Sequence, residues 1–384
     1  MTTSPWRVVA ACCIVAAGFC CLAGIYSVML TNKDAAERDF IEYWAAGQQL
    51  VGGTNPYDPV ATYRLERAVG LTDDQPRVTL SPPVVFVLAL PLGFVSPKAG
   101  LTLWLLALVA GLAASVWILW ILHGRRNDRL HMFSYLFAPA IACYMAGQIA
   151  IFLLLSVVLF LYLHQSRPWL AGAALVPCVL KPHLFVVFSI VLLLWVVSRR
   201  AYGILGGFSV VLLASCALPV YFDRHVWSQY LQMVSTARVL PAFVPSLSVA
   251  FRFLVDRNAV WLQFLPDIAG CCWGVWYFWT RRTQWNWMDQ GLLVLLVSVA
   301  CAPYAWFSDE TILLPAVLSG VYRVADAGRS LLPIAVIAGV ALVEVFRVSG
   351  LATPYFLWTV PAWLAWYVYA SRCGGRAPAF AAVD

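Results

Sequence analysis

The sequence predicts an all-α polytopic membrane protein with about twelve transmembrane helices. Of its 384 residues 62% are hydrophobic and only 11% are charged, whereas about a quarter of a soluble domain is charged. The first apolar run, from Trp6 to Leu30, is long enough to cross a bilayer and carries no charge after Arg7. It has no convincing small-x-small cleavage site. We therefore expect it to be a retained first helix rather than a signal peptide.

Clusters of arginine recur along the rest of the chain and separate long apolar stretches. The clusters are Arg125, Arg126 and Arg129; Arg167; Arg199 and Arg200; Arg281 and Arg282; Arg323 and Arg329; and Arg372 and Arg376. Several of the stretches are about right for two spans, and each contains a polar break. The breaks are Gly147-Gln148, Lys181-Pro182-His183, residues 221–247, Ser308-Asp309-Glu310 and residues 349–354.

The simplest layout has each stretch cross the membrane, break on the outer side and return, with both chain ends inside. The excess of positive charge then lies on the inner side, as the positive-inside rule expects. We expect one integral membrane domain over residues 1–384, in which residues 31–98 form a helical first external loop. Within that loop, Ser81 to Val95 is too short and too rich in proline for an ordinary span. We expect it to lie at, or dip into, the outer surface, with Ala99 to Leu122 as the second full span.

The segments on either side of Gly147-Gln148 and of Lys181-Pro182 are also short for full spans. Irregular backbone at membrane depth persists only where protein or trapped water satisfies its polar groups. We therefore expect both breaks to line a polar cavity in the outer half of the protein, roofed by the first external loop.

The sequence contains no motif that indicates a metal site or a nucleotide-binding site. Ten of the eleven cysteines lie in apolar runs and the other, Cys373, in the basic tail, so they form no disulfide framework and no metal-ligand spacing. There is no Asp-x-Asp, no glycine-rich phosphate loop and no Gly-x-Ser-x-Gly. We expect no metal, no cofactor and no nucleic-acid partner.

The first external loop holds the strongest catalytic candidate, Asp39. Asp39, Glu42, Tyr43 and Ala46 are spaced to share one helix face. Asp39 could cap that helix, with Glu42 three residues later completing a near capping box. It could also be a general base at the lipid–water boundary, and the two roles are compatible. Further along, Asp58 before Pro59 is typical of a structural helix start.

Several later residues could bind an anion or a sugar. Lys181 interrupts apolar sequence, so it could hold an anion, although a long lysine can also reach the interface. Arg224, Arg238 and Arg252 could contact solvent or lipid headgroups, or together clamp a phosphate. Gln148 could satisfy backbone groups or bind sugar hydroxyls, and Asp309 suits a helix start in either case.

Six segments occur in an order that resembles glycosyltransferase family 87 (GT87), whose members have the GT-C fold. They are RDFIEYWAAGQQLVGGTNPYDP, LSPPVVFVLALPLGFV, AGQIAIFLLL, LKPHLF, PSLSVAFRFL and APYAWFSDETILLP. The resemblance runs from about residue 36 to residue 320, and the first segment is its most specific part. The family includes a mycobacterial mannosyltransferase that extends phosphatidylinositol mannosides.

The resemblance implies an inverting transferase that uses a polyprenyl-phosphate sugar, with mannose favoured, on the outer face of a bacterial inner membrane. The acceptor would be a hydroxyl of a lipid or glycan. The family's catalytic aspartate falls on Asp39, and Lys181, Arg224 and Arg238 are candidates for the donor phosphate. Ser308 stands where the family usually has histidine, which His183 or His225 could replace. The candidates for binding substrate are Glu42, Tyr43, Gln148, Lys181, His183, Arg224, Arg238, Ser308 and Asp309.

Three other functions compete with this interpretation. A transporter or flippase of lipid-linked sugars would also need charged groups in a membrane cavity, but no clear internal repeat is visible, and a large acidic loop directly after the first span favours an enzyme. An O-antigen-ligase type of transferase usually carries its major external loop late in the chain. A non-catalytic membrane scaffold is the third alternative, because of Ser308.

Overall fold

The computed structural model describes residues 5–236, 243–348 and 353–373, and within these ranges every regular element is helical. The prediction of an all-α protein is therefore confirmed for this part of the chain. The α-helices of these ranges are α1 (Pro5–Met29), α2 (Asn32–Ala36), α3 (Phe40–Val51), α4 (Pro59–Val69), α5 (Phe86–Ala89), α6 (Pro97–Leu122), α7 (Ala138–Ala146), α8 (Ala150–Leu163), α9 (Pro168–Ala174), α10 (Val186–Arg199), α11 (Tyr202–Phe222), α12 (Val226–Thr236), α13 (Leu247–Val255), α14 (Leu265–Arg281), α15 (Leu292–Cys301), α16 (Leu314–Asp326), α17 (Leu332–Arg347) and α18 (Thr359–Cys373).

Long apolar helices are fewer than the predicted spans. Helix α1 has the predicted extent of the first apolar run. Among the described residues, α6 and α11 are long and apolar enough to cross a membrane. Other apolar helices, such as α8 and α10, have 14 residues each. The figure of about twelve spans remains a prediction, because helix length alone does not give it.

The two predicted breaks in the middle of the chain are present, and each has a local cause. Helix α7 ends at Gly147, whose positive φ of 71° gives the left-handed conformation that closes a helix. Helix α8 begins only at Ala150. Lys181 lies between the short 3₁₀ segments Val176–Leu180 and Pro182–Leu184, since proline cannot donate the bond that would continue a helix.

The chain divides into two compact units, the first made of residues 1–110 and 216–235. In this unit α3 packs on the 3₁₀ segment Leu90–Phe94. A Cβ atom at Gly47 would lie 2.2 Å from the carbonyl oxygen of Ala89, so only glycine permits this approach. The indole of Trp44 and the amide of Gln48 both donate to the carbonyl oxygen of Val95. Residues 81–95 therefore contain short helical segments that are held against α3.

Another predicted feature of residues 31–98 is the start of α4. The Asp58 side chain accepts a hydrogen bond from the Val60 amide at 2.9 Å, and Pro59 takes the first helical position. The structural role predicted for Asp58 is confirmed. The hydroxyl of Tyr57 donates to the carbonyl oxygen of Ser81 at 3.0 Å.

The second unit comprises residues 111–215 and 236–384. Its core is aromatic: Trp287 contacts Phe160 edge-on at 4.9 Å between ring centres and Trp195 at 5.6 Å. Trp363 of α18 is fully buried. Because the units are compact separately, the single domain over residues 1–384 stays a prediction.

Candidate functional site

Three of the predicted site residues meet in the second unit. The ammonium group of Lys181 lies 2.6 Å from Oδ1 of Asp309 and 3.1 Å from Oε1 of Gln148. We call Gln148, Lys181 and Asp309 the Lys181 cluster. The side chain of Lys181 is 13% exposed and that of Asp309 is fully buried. The cluster is therefore a buried ion pair with a neutral amide beside it.

The local backbone explains why these three groups can meet. Gln148 follows the glycine that ends α7, and Lys181 lies between two 3₁₀ segments, so neither belongs to a continuous helix. Asp309 lies in the 3₁₀ segment Phe307–Leu313. Its second oxygen, Oδ2, accepts a hydrogen bond from the Trp306 amide at 3.0 Å. The expected helix-start role of Asp309 thus coexists with its ion pair.

The carboxylate next to Asp309 faces a different part of the unit. Glu310 accepts hydrogen bonds from the hydroxyl of Thr359 at 2.6 Å and from the indole of Trp363 at 2.9 Å. Both partners belong to α18. Glu310 therefore ties the segment that carries Asp309 to the last described helix.

Ser308 and His183 lie next to members of the cluster in the chain. Ser308 is buried, and its carbonyl oxygen accepts a hydrogen bond from the hydroxyl of Thr311. The ring of His183 stacks on that of Tyr304 with 3.9 Å between ring centres. Nε2 of His183 is buried, and no described residue hydrogen-bonds to it. His183 is thus a half-buried imidazole with a buried Nε2 in the same unit as Ser308, whereas His225 is exposed in the first unit.

Arg252 differs most from its expected surface position. It is only 3% exposed, and Nη1 donates to the neutral Oε1 of Gln263 at 2.8 Å. Among the described residues, Nε has no partner and no carboxylate forms an ion pair with Arg252. A buried guanidinium without an anion is costly, since burial removes its hydration. The site is therefore suited to receive an anion.

Helix α13 carries Arg252 and is anchored to the segment that leads to Asp309. The hydroxyl of Ser248, one helical turn before Arg252, donates to the carbonyl oxygen of Cys301 at 3.2 Å. Cys301 ends α15, and Tyr304 and Asp309 follow it. Arg224 is exposed in the first unit, and Arg238 lies outside the described residues.

Asp39 belongs to the first unit, where its predicted capping box is wrong. Although Asp39 directly precedes α3, its side chain makes no capping hydrogen bond. A side-chain cap needs extended backbone, whereas Asp39 has helical angles, φ −62° and ψ −17°. The capping box forms earlier, between Thr31 and Asp34 at the start of α2. The chain is therefore already turning when it reaches Asp39.

The carboxylate of Asp39 instead lies near Arg77. Oδ1 is 3.7 Å from Nη1 of Arg77, and the Asp39 side chain is 41% exposed. Arg77 also binds Asp73 at 2.7 Å and the carbonyl oxygen of Glu37 at 3.0 Å. An arginine shared in this way can hold the Asp39 carboxylate without burying it.

The other two candidates on α3 have different environments. Tyr43 is buried and stacks on Trp104 of α6, with 5.2 Å between ring centres. Glu42 is half-buried. The face predicted to be functional thus carries a packing residue at Tyr43 and acidic groups at Glu42 and Asp39.

Comparison of the chain with models of known protein families gives a match. The model described as glycosyltransferase family 87 matches residues 80–325. The chain belongs to glycosyltransferase family 87. No curated protein and no solved structure matches it.

Membership in family 87 makes the protein a glycosyltransferase, and together with the apolar helices it indicates a membrane protein. It favours the enzyme over the transporter and scaffold alternatives. The matched residues include the Lys181 cluster and Arg252, but not Asp39. The assignment of Asp39 therefore rests on the motif around residues 36–59 and on its own surroundings.

Sequence reasoning missed two features of this glycosyltransferase. Arg77 gave no signal because it lies in a polar loop among other charges. The sequence identifies Arg252 as a basic residue but does not predict its burial without an anion. The Phe-Arg-Phe run around it, within a helix of strong apolar character, was the available signal. Among the described residues, no group of three potential metal ligands occurs.

Proposed function

We propose that this glycosyltransferase is a multi-pass enzyme of the bacterial inner membrane with the GT-C fold and about twelve spans. It transfers a sugar, with mannose favoured, from a polyprenyl-phosphate donor to a hydroxyl of a lipid or glycan acceptor on the outer face. The observation that carries the proposal is the presence of two largely enclosed cations within the residues matched by the family model: Arg252, which is buried, and Lys181, whose side chain is 13% exposed.

The donor phosphate is the group that these cations suit. As the bond between the anomeric carbon and the phosphate oxygen breaks, its electron pair passes to the leaving phosphate and increases its negative charge. Fixed cations in a site of low polarity stabilise such developing charge. Lys181 is fixed by Asp309 and Gln148, and Arg252 by Gln263. Arg224 and Arg238 remain further candidates for this role.

An apolar groove suits the lipid part of the donor. It holds about 200 Å³ and is lined by residues of α10, α11 and the segment before Lys181, including Val179, Pro182, Leu192 and Leu205. Pro182 directly follows Lys181. An apolar groove that includes the chain neighbour of a cation suits a molecule with an isoprenoid tail and a phosphate head.

Asp39 is proposed as the general base. Its carboxylate would accept the proton of the acceptor hydroxyl while the hydroxyl oxygen attacks the anomeric carbon, which inverts that carbon. The side chain is 41% exposed, so an acceptor can approach it, and Arg77 Nη1 lies 3.7 Å from its Oδ1. Glu42, Tyr43, Gln148, His183, Ser308 and Asp309 are proposed to bind or position substrate. The reaction as proposed requires neither a metal nor a cofactor.

The test is sugar transfer by the purified protein in nanodiscs, with polyprenyl-phosphate mannose as donor and extracted lipids as the acceptor pool. Mass spectrometry would detect the glycosylated product. We expect wild type to form it, Asp39→Asn to lose at least a hundredfold in rate, and Asp73→Asn to retain it. Asp73→Asn is the matched control because it removes the other carboxylate bound to Arg77.

Two outcomes would contradict parts of the proposal. Transfer that persists in a folded Asp39→Asn protein would exclude Asp39 as the base. Absence of product from wild type with every carrier-linked sugar supplied would exclude the proposed donor class.

A further inference from the structure

A second cavity in the larger unit contains polar groups that the proposed reaction does not use. It holds about 430 Å³, and we call it the Arg199 cavity. Polar side chains lining it include Gln165, Arg199 and Asn286, and its aromatic walls are Trp195, Trp285 and Trp287. Clefts of this size and lining commonly bind small molecules or headgroups.

The Arg199 cavity and the Lys181 cluster lie at opposite ends of the same helices. Helix α8 begins two residues after Gln148 and ends just before Gln165, and α10 runs from near Lys181 to Arg199. Each has 14 residues, which corresponds to about 20 Å. The two sites are therefore separate.

Positive charge dominates this end of the helices. Besides Arg199, the arginines there are Arg167, Arg200, Arg281 and Arg282, and the described lining of the cavity includes no carboxylate. The acidic residue that comes next after Trp287, Asp289, is already in an ion pair with Arg323. An anion entering the cavity would thus meet unneutralised cations.

The guanidinium of Arg199 is held in place at this site. Its Nη2 donates to the carbonyl oxygens of Arg282 and Thr283, at 3.1 and 3.2 Å. These two bonds fix the planar group across the connection between α14 and α15. A positioned guanidinium can present its remaining N–H groups to a phosphate as a pair.

We propose that the Arg199 cavity binds the phosphate-bearing headgroup of an anionic phospholipid. Arg199 binds the phosphate, and headgroup hydroxyls meet Gln165 and the amide nitrogen of Asn286, whose Oδ1 already accepts from the Met288 amide. The tryptophans supply apolar walls around the headgroup. Free phosphate shares the same chemistry, but the aromatic walls and the apolar helices around the cavity favour a lipid. This inference is independent of the proposed transfer reaction.

Lipid binding by the intact protein tests this inference. Purified protein in phosphatidylcholine nanodiscs, with or without a minor fraction of phosphatidylglycerol, would be examined by native mass spectrometry for retained phosphatidylglycerol. We expect Arg199→Gln to weaken retention about tenfold. Arg200→Gln is the matched control, because it removes the same charge from the next exposed residue, which is not among the cavity's lining residues.

Arg199→Gln also removes the two hydrogen bonds that Arg199 donates to Arg282 and Thr283, so a second variant is needed that leaves them in place. Gln165→Glu leaves those contacts intact and adds a negative charge to the cavity, so it should also weaken retention. Equal losses from Arg199→Gln and Arg200→Gln would show unspecific attraction and overturn the proposal. So would equal retention of phosphatidylglycerol and phosphatidylcholine by wild type, or displacement of phosphatidylglycerol by millimolar inorganic phosphate.

Discussion

Lys181 and Asp309 form an ion pair, and its structural contribution can be separated from the phosphate-binding role proposed for Lys181. Removing one charge leaves the other buried and unpaired, which costs about 3–5 kcal/mol of unfolding free energy. Asp309→Asn should therefore be strongly destabilised. Lys181→Met combined with Asp309→Asn should recover most of the loss, since the amide oxygen can still accept from Trp306.

Thermal unfolding in detergent measures the stability of each variant, and the transfer assay measures its rate of sugar transfer. The double variant should unfold near the wild-type temperature yet transfer sugar at least a hundredfold more slowly, because a buried cation at the donor phosphate is missing. A stable and fully active double variant would remove Lys181 from the proposed phosphate site.

Arg252 gives a second prediction at the scale of one residue. Arg252→Gln should weaken the binding of polyprenyl phosphate by about tenfold to a hundredfold, the value of hydrogen bonds to a charged group. Binding of neutral polyprenol should stay unchanged. Comparing the two ligands in nanodiscs isolates the phosphate contribution from any general loss of packing.

The control for Arg252 is Asp267→Asn. Oδ1 of Asp267 is buried, and no described residue hydrogen-bonds to it. If the loss of binding came only from disturbing a buried polar side chain in this part of the unit, Asp267→Asn would reproduce it. If Asp267→Asn still binds polyprenyl phosphate more tightly than polyprenol, and Arg252→Gln no longer does, the result supports an anion site at Arg252.

Glu66 of α4 predicts a pH dependence of the free energy of unfolding. Its Oε2 accepts from the Arg77 amide at 3.1 Å, while Oε1 is buried and no described residue hydrogen-bonds to it. Burial raises the pKa of Glu66, and the nearby Arg77 lowers it in part. The folded state therefore favours the protonated form. This stabilising contribution is complete below the unfolded pKa, about 4.3, and is lost as the pH rises through the folded value.

Glu66→Gln should accordingly raise the unfolding temperature at pH 7 to 8, and its advantage should shrink toward pH 4. The amide oxygen can still accept from Arg77. Glu37→Gln is the control, since Glu37 is exposed and paired only with Lys33 one turn away among the described side chains. An equal shift of both variants with pH would contradict the assignment to Glu66.

At the scale of helices, local sequence signals predict where helices break, but they do not predict which side chains from distant parts of the chain pair with each other. Gly147 and Pro182 end helices through their own backbone properties, so the sequence identifies both positions. The contact between Lys181 and Asp309 joins residues 128 positions apart, and no local pattern encodes it. The capping box at Asp39 was mispredicted because Thr31 and Asp34 form a separate short helix just before it. Arg252 was misjudged because burial depends on the packing of α13.

The groove between α10 and α11 predicts a dependence on the length of the donor's lipid. Leu192→Trp should fill the groove and raise the KM for a long-chain polyprenyl donor about tenfold, which corresponds to losing about two buried CH₂ groups. A short-chain donor that does not extend along the groove should be unaffected. The transfer assay with both donors measures this, and equal changes in KM for the two would place the lipid elsewhere.

At the scale of the whole molecule, the distribution of charge predicts the topology. With the arginine clusters inside, Arg126 and Arg200 face the cytoplasm, and Asp58 and Asp223 face the outside. Residues 81–95 decide this layout, because a full crossing there would invert everything downstream. Their short helical segments, buried against α3 at Val85 and Phe86, favour a segment that turns back.

Reporter domains inserted into the complete chain can test this layout. Alkaline phosphatase, which is active only outside, should be active after Asp58 and Asp223 and inactive after Arg126 and Arg200. A fluorescent protein that folds only in the cytoplasm should give the opposite pattern. Active phosphatase after both Asp58 and Arg126 would show that residues 81–95 cross the membrane. The Lys181 cluster would then lie toward the cytoplasmic side, and a donor on the outer face would have to be abandoned.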